Sequence, residues 1–313
     1  MGDTRPLLTG LVVGALVAGL ATVATSQGAD ASGSLSIEGP GPDAPPDPED
    51  LATAPTLVVE PTAPSPAPLP RDAGSGASAE RALAAARAAA PGTALGVAVY
   101  DRRRGAFLAR YGADRRFTSA SLVKVLIALE ALDRQRGGPS AGLADQLHQM
   151  LARSDDGIAN VLWPQHGGPE IVRRVAARAG MTHTRPPKDP DRWGDTVVTA
   201  GDVVALYQYV VDEAPPAHRD LLLRALRAAP RRAADNLDQH FGIPRAAGGR
   251  PWAVKQGWAC CLPDRVLHTT GLVGPGDRHI VVVLSSHPAR RSQSVAAGYV
   301  TAATAALTPL LTG

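Results

Sequence analysis

Lysine is nearly absent from this chain of 313 residues: 29 arginines stand against three lysines, Lys124, Lys188 and Lys255. Ordinary positive charge is written as arginine, so the positions that keep an amine stand out, because an ammonium can give up its proton and a guanidinium cannot. Cysteine is as scarce: Cys260 and Cys261 are the only two, and they are adjacent. Neighbouring cysteines rarely bridge because the ring is strained, which excludes an ordinary stabilising framework of disulfides. A vicinal disulfide, free thiols, an intermolecular link and a pair of small apolar fillers on a strand all stay open. The eight histidines show no His-x-x-x-His spacing, and the cysteines are not separated by two residues, so a metal-dependent chemistry is disfavoured and no cofactor is expected. Charge of one sign is lacking too. The formal net charge is only +3 and the arginines are scattered rather than gathered into a stripe, so nucleic acid is not an expected partner. No internal repeat is visible.

What is present suits one sizeable domain with appendages, at 44% hydrophobic content. Arg5, an apolar run from Leu7 to Ala24 and a following Ala29-x-Ala31 pattern read as an export signal. The run is also long enough to span a bilayer, which takes about 17–25 residues. Residues 1–32 are therefore expected to be a signal peptide or an N-terminal membrane anchor, and the protein extracytoplasmic, secreted or tethered. No cysteine sits near the end of the run, so a lipid anchor is not expected. Residues 33–75, with "GPGPDAPPDPED" and "PTAPSPAPLP", are too poor in apolar surface to order themselves and are expected to form a disordered linker. Residues 76–313 hold the domain.

Along that domain an alanine-rich helix is expected over Ala79 to Ala90. "TALGVAVYDRRRGAFLARYG" reads as two alternating apolar segments joined by a turn, a hairpin. Helices follow: one from "SLVK" to the glycines at 137 and 138, then Leu143 to Arg153, Asp156 to Trp163, Pro169 to Ala179, one opened by Thr199 with Asp202 three residues on, and Ala217 to Ala228. Three strand candidates, "WAVKQGWACC", "RVLHTTGLVG" and "RHIVVVLSS", precede a last helix from Ser294 to Leu310. Strands at both ends around a helical middle imply an α+β fold: an antiparallel sheet of about five strands flanked by helices, with an inserted all-helical subdomain.

The chemistry concentrates in "FTSASLVKVLIALE", residues 117 to 130, where almost every position from Leu122 to Leu132 is apolar and yet Lys124 occupies the first turn. Burial makes the charged amine less favourable. Either the side chain snorkels near the helix start, or its depressed pKa is used. Ser121 lies three positions earlier, on the same helical face. A hydroxyl is a poor nucleophile until a base takes its proton, and a desolvated lysine can be that base. The helix N-terminus would aim free N–H groups at whatever forms on the serine. A second element, Ser154-Asp155-Asp156, sits at a helix junction, where ordinary capping also explains it. A third, "VKQGW", puts Lys255 in a strand, as on an edge strand, with Gly257 two residues on, where glycine lets a ligand approach the backbone.

In this order the three elements resemble the penicillin-interacting serine hydrolases, most closely the class A β-lactamases with their Ser-x-x-Lys, Ser-Asp-Asn and Lys-Thr-Gly motifs. The resemblance covers roughly residues 80 to 311, including "MLARSDDGIANVLW" and "GGPEIVRRVAARAGM". It implies that Ser121 is acylated, with Lys124 as its base or proton relay. Ser154 would pass the proton to the leaving nitrogen, and Lys255 would support that transfer and attract a substrate carboxylate. Asp156, Gln256, Gly257 and Trp258 would contact substrate, and the N–H groups of Ser121 and Trp258 would form the oxyanion hole. The implied partners are a small-molecule β-lactam or a peptidoglycan peptide, in the cell envelope, with the protein a monomer.

Three departures from the family pattern stand out. Asp156 replaces an asparagine, and an ionised carboxylate only accepts. Gln256 replaces a threonine or serine. The loop glutamate that activates water for deacylation is missing: between Gly157 and Ala200 the only glutamate is Glu170, in a helix, while the loop offers Asp189, Asp191 and Asp195. Asp195 is expected to brace the loop. The acyl-enzyme is then expected to persist. The reading from another class is a non-catalytic envelope protein that keeps the fold to bind wall peptides or a partner.

Overall fold

Alanine and arginine carry the first helix, α1 (Ala77–Ala88), and an alternating apolar run then forms the hairpin β1 (Ala94–Asp101) and β2 (Ala106–Tyr111). A computed structural model describes residues 76–261 and 263–311, and the expected signal or anchor (1–32) and linker (33–75) lie outside the described residues. A two-residue strand, β3 (Phe117–Thr118), leads through a 3-10 turn at Ala120–Leu122 into α2 (Val123–Asp133). Helices α3 (Ala141–Ala152), α4 (Asp156–Gln165) and α5 (Pro169–Arg178) follow, then β4 (Val197–Val198), α6 (Ala200–Gln208) and α7 (Pro216–Arg227). A short α8 (Ile243–Ala246) precedes β5 (Trp252–Ala259), β6 (Arg265–Val273) and β7 (His279–His287), and α9 (Gln293–Leu307) closes the fold. Ser140, Asp155, Thr199 and Ser292 cap α3, α4, α6 and α9 by accepting a backbone N–H, as their residue types favour.

The sheet is five-stranded and antiparallel in the order β2-β1-β7-β6-β5, so the α+β expectation holds. Strands from opposite ends of the domain meet inside it at the β1–β7 pairing, where Val97 stands opposite Val283. Both faces are covered, which is why β1 and β7 read as nearly continuous apolar runs. Val97, Val99, Val281 and Val283 face the layer of α1 and α9, while Ala98, Tyr100, Ile280 and Val282 face the helical subdomain. β3 and β4 form a second, two-stranded sheet that the sequence did not announce, because two residues carry no periodicity.

Helix α2 runs through the centre of the helical subdomain, buried at every position from Val123 to Leu132, the charged residues Lys124 and Glu130 included. Glu130 is tolerated there because Arg134, Arg174 and Arg178 all bond its carboxylate, at 2.9, 2.8 and 3.1 Å, and two of the three come from α5. Those partners hold its carboxyl below the usual range against the opposing effect of burial.

Two histidines are buried in the sheet with hydrogen-bond partners on their ring nitrogens. His268 donates from Nε2 to the Thr118 carbonyl at 2.8 Å and accepts from the Ser285 N–H at 3.1 Å. His287 lies 2.9 Å from the Ser285 hydroxyl. Burial pushes both down to about 4, aided at His287 by Arg291. A histidine whose folded pKa lies below its unfolded one binds fewer protons in the folded state, so stability is full above about pH 6.5 and declines toward pH 4, by up to about 3 kcal/mol for each. The midpoint of thermal unfolding is expected to fall steadily between pH 6.5 and 4. A flat profile across that window would show that these rings do not stay buried and neutral.

Candidate active site

Ser121 lies in the 3-10 turn just ahead of α2 rather than in the α-helix itself, and three-residue spacing still puts Lys124 beside it, with Nζ 2.9 Å from Oγ. The turn is held under strain: Ala120, a non-glycine residue, has φ +44°. Such left-handed backbone costs on the order of 1–3 kcal/mol and persists only where neighbours enforce it. Enforcement comes from Ser119, whose N–H donates to the Thr196 carbonyl at 2.7 Å and whose hydroxyl bonds the Ala120 carbonyl at 3.1 Å.

Lys124 has no exposed surface, so the snorkelling alternative fails. Its ammonium donates to Ser121 Oγ, to the Ser154 carbonyl at 2.7 Å and to the Asp156 carboxylate. Burial lowers its pKa, and Asp156, Asp155 and Asp235 oppose that shift. Asp156 is the unusual partner. It stands where the resemblance predicts an asparagine contacting substrate, yet it forms an ion pair with Lys124 while its own side chain stays 66% exposed.

Ser154, which also carries a left-handed backbone (φ +56°), sits between the two buried lysines. Lys255 Nζ donates to its hydroxyl at 2.8 Å, and Lys124 Nζ lies 3.5 Å from the same oxygen. Burial depresses Lys255 strongly, and the charge of Lys124 adds to the effect. A neutral amine at Lys124 can take the Ser121 proton, and Ser154 gives that proton a route past Lys255. Of the eight residues expected at the site, the structure brings Ser121, Lys124, Ser154, Asp156 and Lys255 into one hydrogen-bonded cluster.

Gln256 is not part of it. Alternation along β5 turns it to the face opposite Lys255, where its amide donates to the carbonyls of Gln239 at 2.9 Å and Phe241 at 2.6 Å. The expected substrate contact is thereby corrected to a brace on the preceding loop. Gly257 does what its lack of a side chain allows, because a Cβ there would meet the Ser119 carbonyl at 2.9 Å. β5, an edge strand as Lys255 suggested, is pressed against the turn that carries Ser121. Trp258 lies beside it, half-buried, its indole N–H donating to Asp235 at 2.9 Å. Asp235 escaped the sequence reading because nothing local marks it.

In the loop from Met181 to Thr199, Asp195 braces the loop as expected. Asp195 pairs with Arg192 at 2.6 Å and Asp189 accepts the Asp191 N–H at 3.1 Å, so both brace the loop itself. The residue that reaches the cluster is Trp193, whose ring lies 5.0 Å from Lys124 Nζ and whose indole N–H donates to Asn160 on α4 at 2.8 Å. Nothing local in the sequence marks Trp193 for that position. At the end of β5, Cys260 and Cys261 are joined as a vicinal disulfide and Cys260 is exposed, which sets aside the buried-filler alternative.

Comparison with known proteins agrees with this geometry. Residues 136–307, more than half of the chain, match the family described as "Beta-lactamase enzyme family". Proteins named "Putative lipoprotein LppW" from Mycobacterium tuberculosis and Mycobacterium bovis are 36% identical over 208 residues, a match spanning 64% of this chain and 66% of theirs. The chain thus spans just under two thirds of those relatives. Among solved structures, a class A beta-lactamase from Mycobacterium abscessus is similar with a TM-score of 0.59 at 21% identity, covering 75% of this chain and 99% of that one. The structure of PBP-A is similar with a TM-score of 0.59 at 18% identity, covering 77% and 100%. At these identities the two structures speak to the fold.

Replacing Asp156 by asparagine removes a negative charge that opposes the burial of Lys124. Asp156→Asn is therefore expected to lower the Lys124 pKa further. With only three lysines in the chain, the ε-carbon resonances of a lysine-labelled sample report this directly, and exposed Lys188 should not move. An unchanged or raised Lys124 titration would contradict the ion pair.

Proposed function

The chain belongs to the beta-lactamase enzyme family, and from that premise we propose that it is an envelope serine hydrolase acylated at Ser121 by a β-lactam or a peptidoglycan-like peptide, with slow deacylation. The observation that carries the reading is the 2.9 Å bond between a wholly buried lysine and the Ser121 hydroxyl. Neutral Lys124 takes the proton as Oγ attacks the acyl carbon. The N–H groups of Ser121 and Trp258 receive the oxyanion. Ser154 then delivers a proton to the departing nitrogen, with Lys255 holding that hydroxyl in place. Water attack on the resulting ester is slow because no loop glutamate stands ready to activate it.

The name carried by the mycobacterial relatives supports a location in the envelope. Among the described residues no helix is long and apolar enough to cross a membrane, so tethering is proposed to reside in residues 1–32, with 33–75 as spacer and a monomeric domain from residue 76. A second reading has one specific observation in its favour. The Asp156 carboxylate against Lys124 favours the charged amine, which cannot accept a proton, and a site held in that state would bind wall peptides without turning them over.

Intact-mass spectrometry of the domain after incubation with a panel of β-lactams, beside Ser121→Ala, separates the readings. A lasting mass increase that the variant loses is the expected result. Rapid hydrolysis without an adduct would refute slow deacylation, and neither adduct nor hydrolysis would transfer weight to the binding protein.

A further inference from the structure

Lys124 Nζ donates to Ser121 Oγ, to the Ser154 carbonyl and to Asp156, with Ser154 Oγ a more distant fourth partner. Those three contacts alone do not account for its complete burial, since the Asp156 side chain is two-thirds exposed. The indole of Trp193, itself half-buried, lies against the same amine with its ring centred 5.0 Å from Nζ. A ring face attracts an ammonium and offers water no hydrogen-bonding group.

The indole is fixed in place from two directions. Its N–H donates to Asn160, which lies four residues after Asp156 on α4, so one helical face holds both the carboxylate and the ring against the lysine. Its backbone belongs to the 3-10 turn Trp193–Asp195, where the Trp193 carbonyl accepts from the Thr196 hydroxyl at 2.8 Å and the Thr196 carbonyl accepts from Ser119. The loop is thereby clamped to the turn that carries Ser121.

We propose that Trp193 is a positioning residue that keeps water off Lys124 and off the acyl group on Ser121, and so sets how long the acyl-enzyme survives. The proposal rests on the acylation reading above. Hydrolysis requires a water oxygen to bond to the acyl carbon while the bond from that carbon to Ser121 Oγ breaks, with a water proton taken up by a base and returned to Oγ. Trp193 withholds both requirements on its side of the cluster: it occupies the space and brings no base. The carboxylates of the same loop, Asp189 and Asp195, are turned to partners within it.

The test uses Trp193→Ala and Trp193→Phe, the second keeping a ring over the amine. Labelling with acetic anhydride, followed by peptide mass mapping, reads solvent access at all three lysines. Exposed Lys188 reacts at once in every protein. Lys124 is expected to react several-fold faster in Trp193→Ala than in the parent or in Trp193→Phe, while Lys255 stays protected. The lifetime of the β-lactam adduct is expected to fall by roughly tenfold or more in Trp193→Ala alone, as readmitted water would require. Unchanged labelling of Lys124, equal opening of Lys255, or an unchanged adduct lifetime would each overturn the proposal. If the parent forms no adduct and hydrolyses no β-lactam, the acylation reading falls, and the labelling pattern alone upholds or overturns Trp193 as the cover over Lys124.

Discussion

A lysine with no exposed surface is the constraint around which this domain is organised. Removing an ammonium from water is tolerable only when oxygen atoms replace the lost hydration, and here they come from three separate segments: the turn before α2, the loop before α4, and α4 itself. Each segment accepts a local cost to be there. Ala120 and Ser154 both adopt left-handed backbone, and both adjoin atoms bonded to Lys124 or Lys255. The second buried lysine compounds the demand: burial depresses Lys255, and the charge of Lys124 depresses it further. Two amines sharing one serine hydroxyl form a site in which moving a proton is easier than holding two.

The contrast with Glu130 on the same helix shows how the chain handles charge that does not react. That carboxylate is buried as thoroughly, yet it is saturated by three guanidinium groups, which do not release protons. Arginine thus serves the structural ion pairs, while two of the three lysines, Lys124 and Lys255, are buried against the Ser154 hydroxyl and only Lys188 is exposed. The scarcity of lysine noted at the outset takes on meaning only once both environments are seen side by side.

Much of this was legible in the sequence because spacing along a helix or strand translates directly into shared faces. Ser121 with Lys124, the capped junction at Ser154 to Asp156, and Lys255 followed by glycine all lie on regular elements or at their ends. Gln256 was misjudged because motif position says nothing about which face of β5 it occupies, and its partners Gln239 and Phe241 come from an irregular loop. Trp193 went unread for a similar reason. It stands in a proline-rich loop without periodicity, and its reach to Lys124 depends on how β3 and β4 dock that loop, an association of only two residues from each strand.

The pairing of β1 with β7 has a consequence for how the protein is made. β1 is finished by residue 101, but its partner on one side begins at His279, so the ribosome must add nearly the whole domain before the central strands meet. Until then a nascent chain exposes the apolar run of β1 with one ladder edge unsatisfied, a surface that chaperones or another chain can occupy. A chain interrupted before β7 would carry Ser121 and Lys124 and still have no platform to hold them.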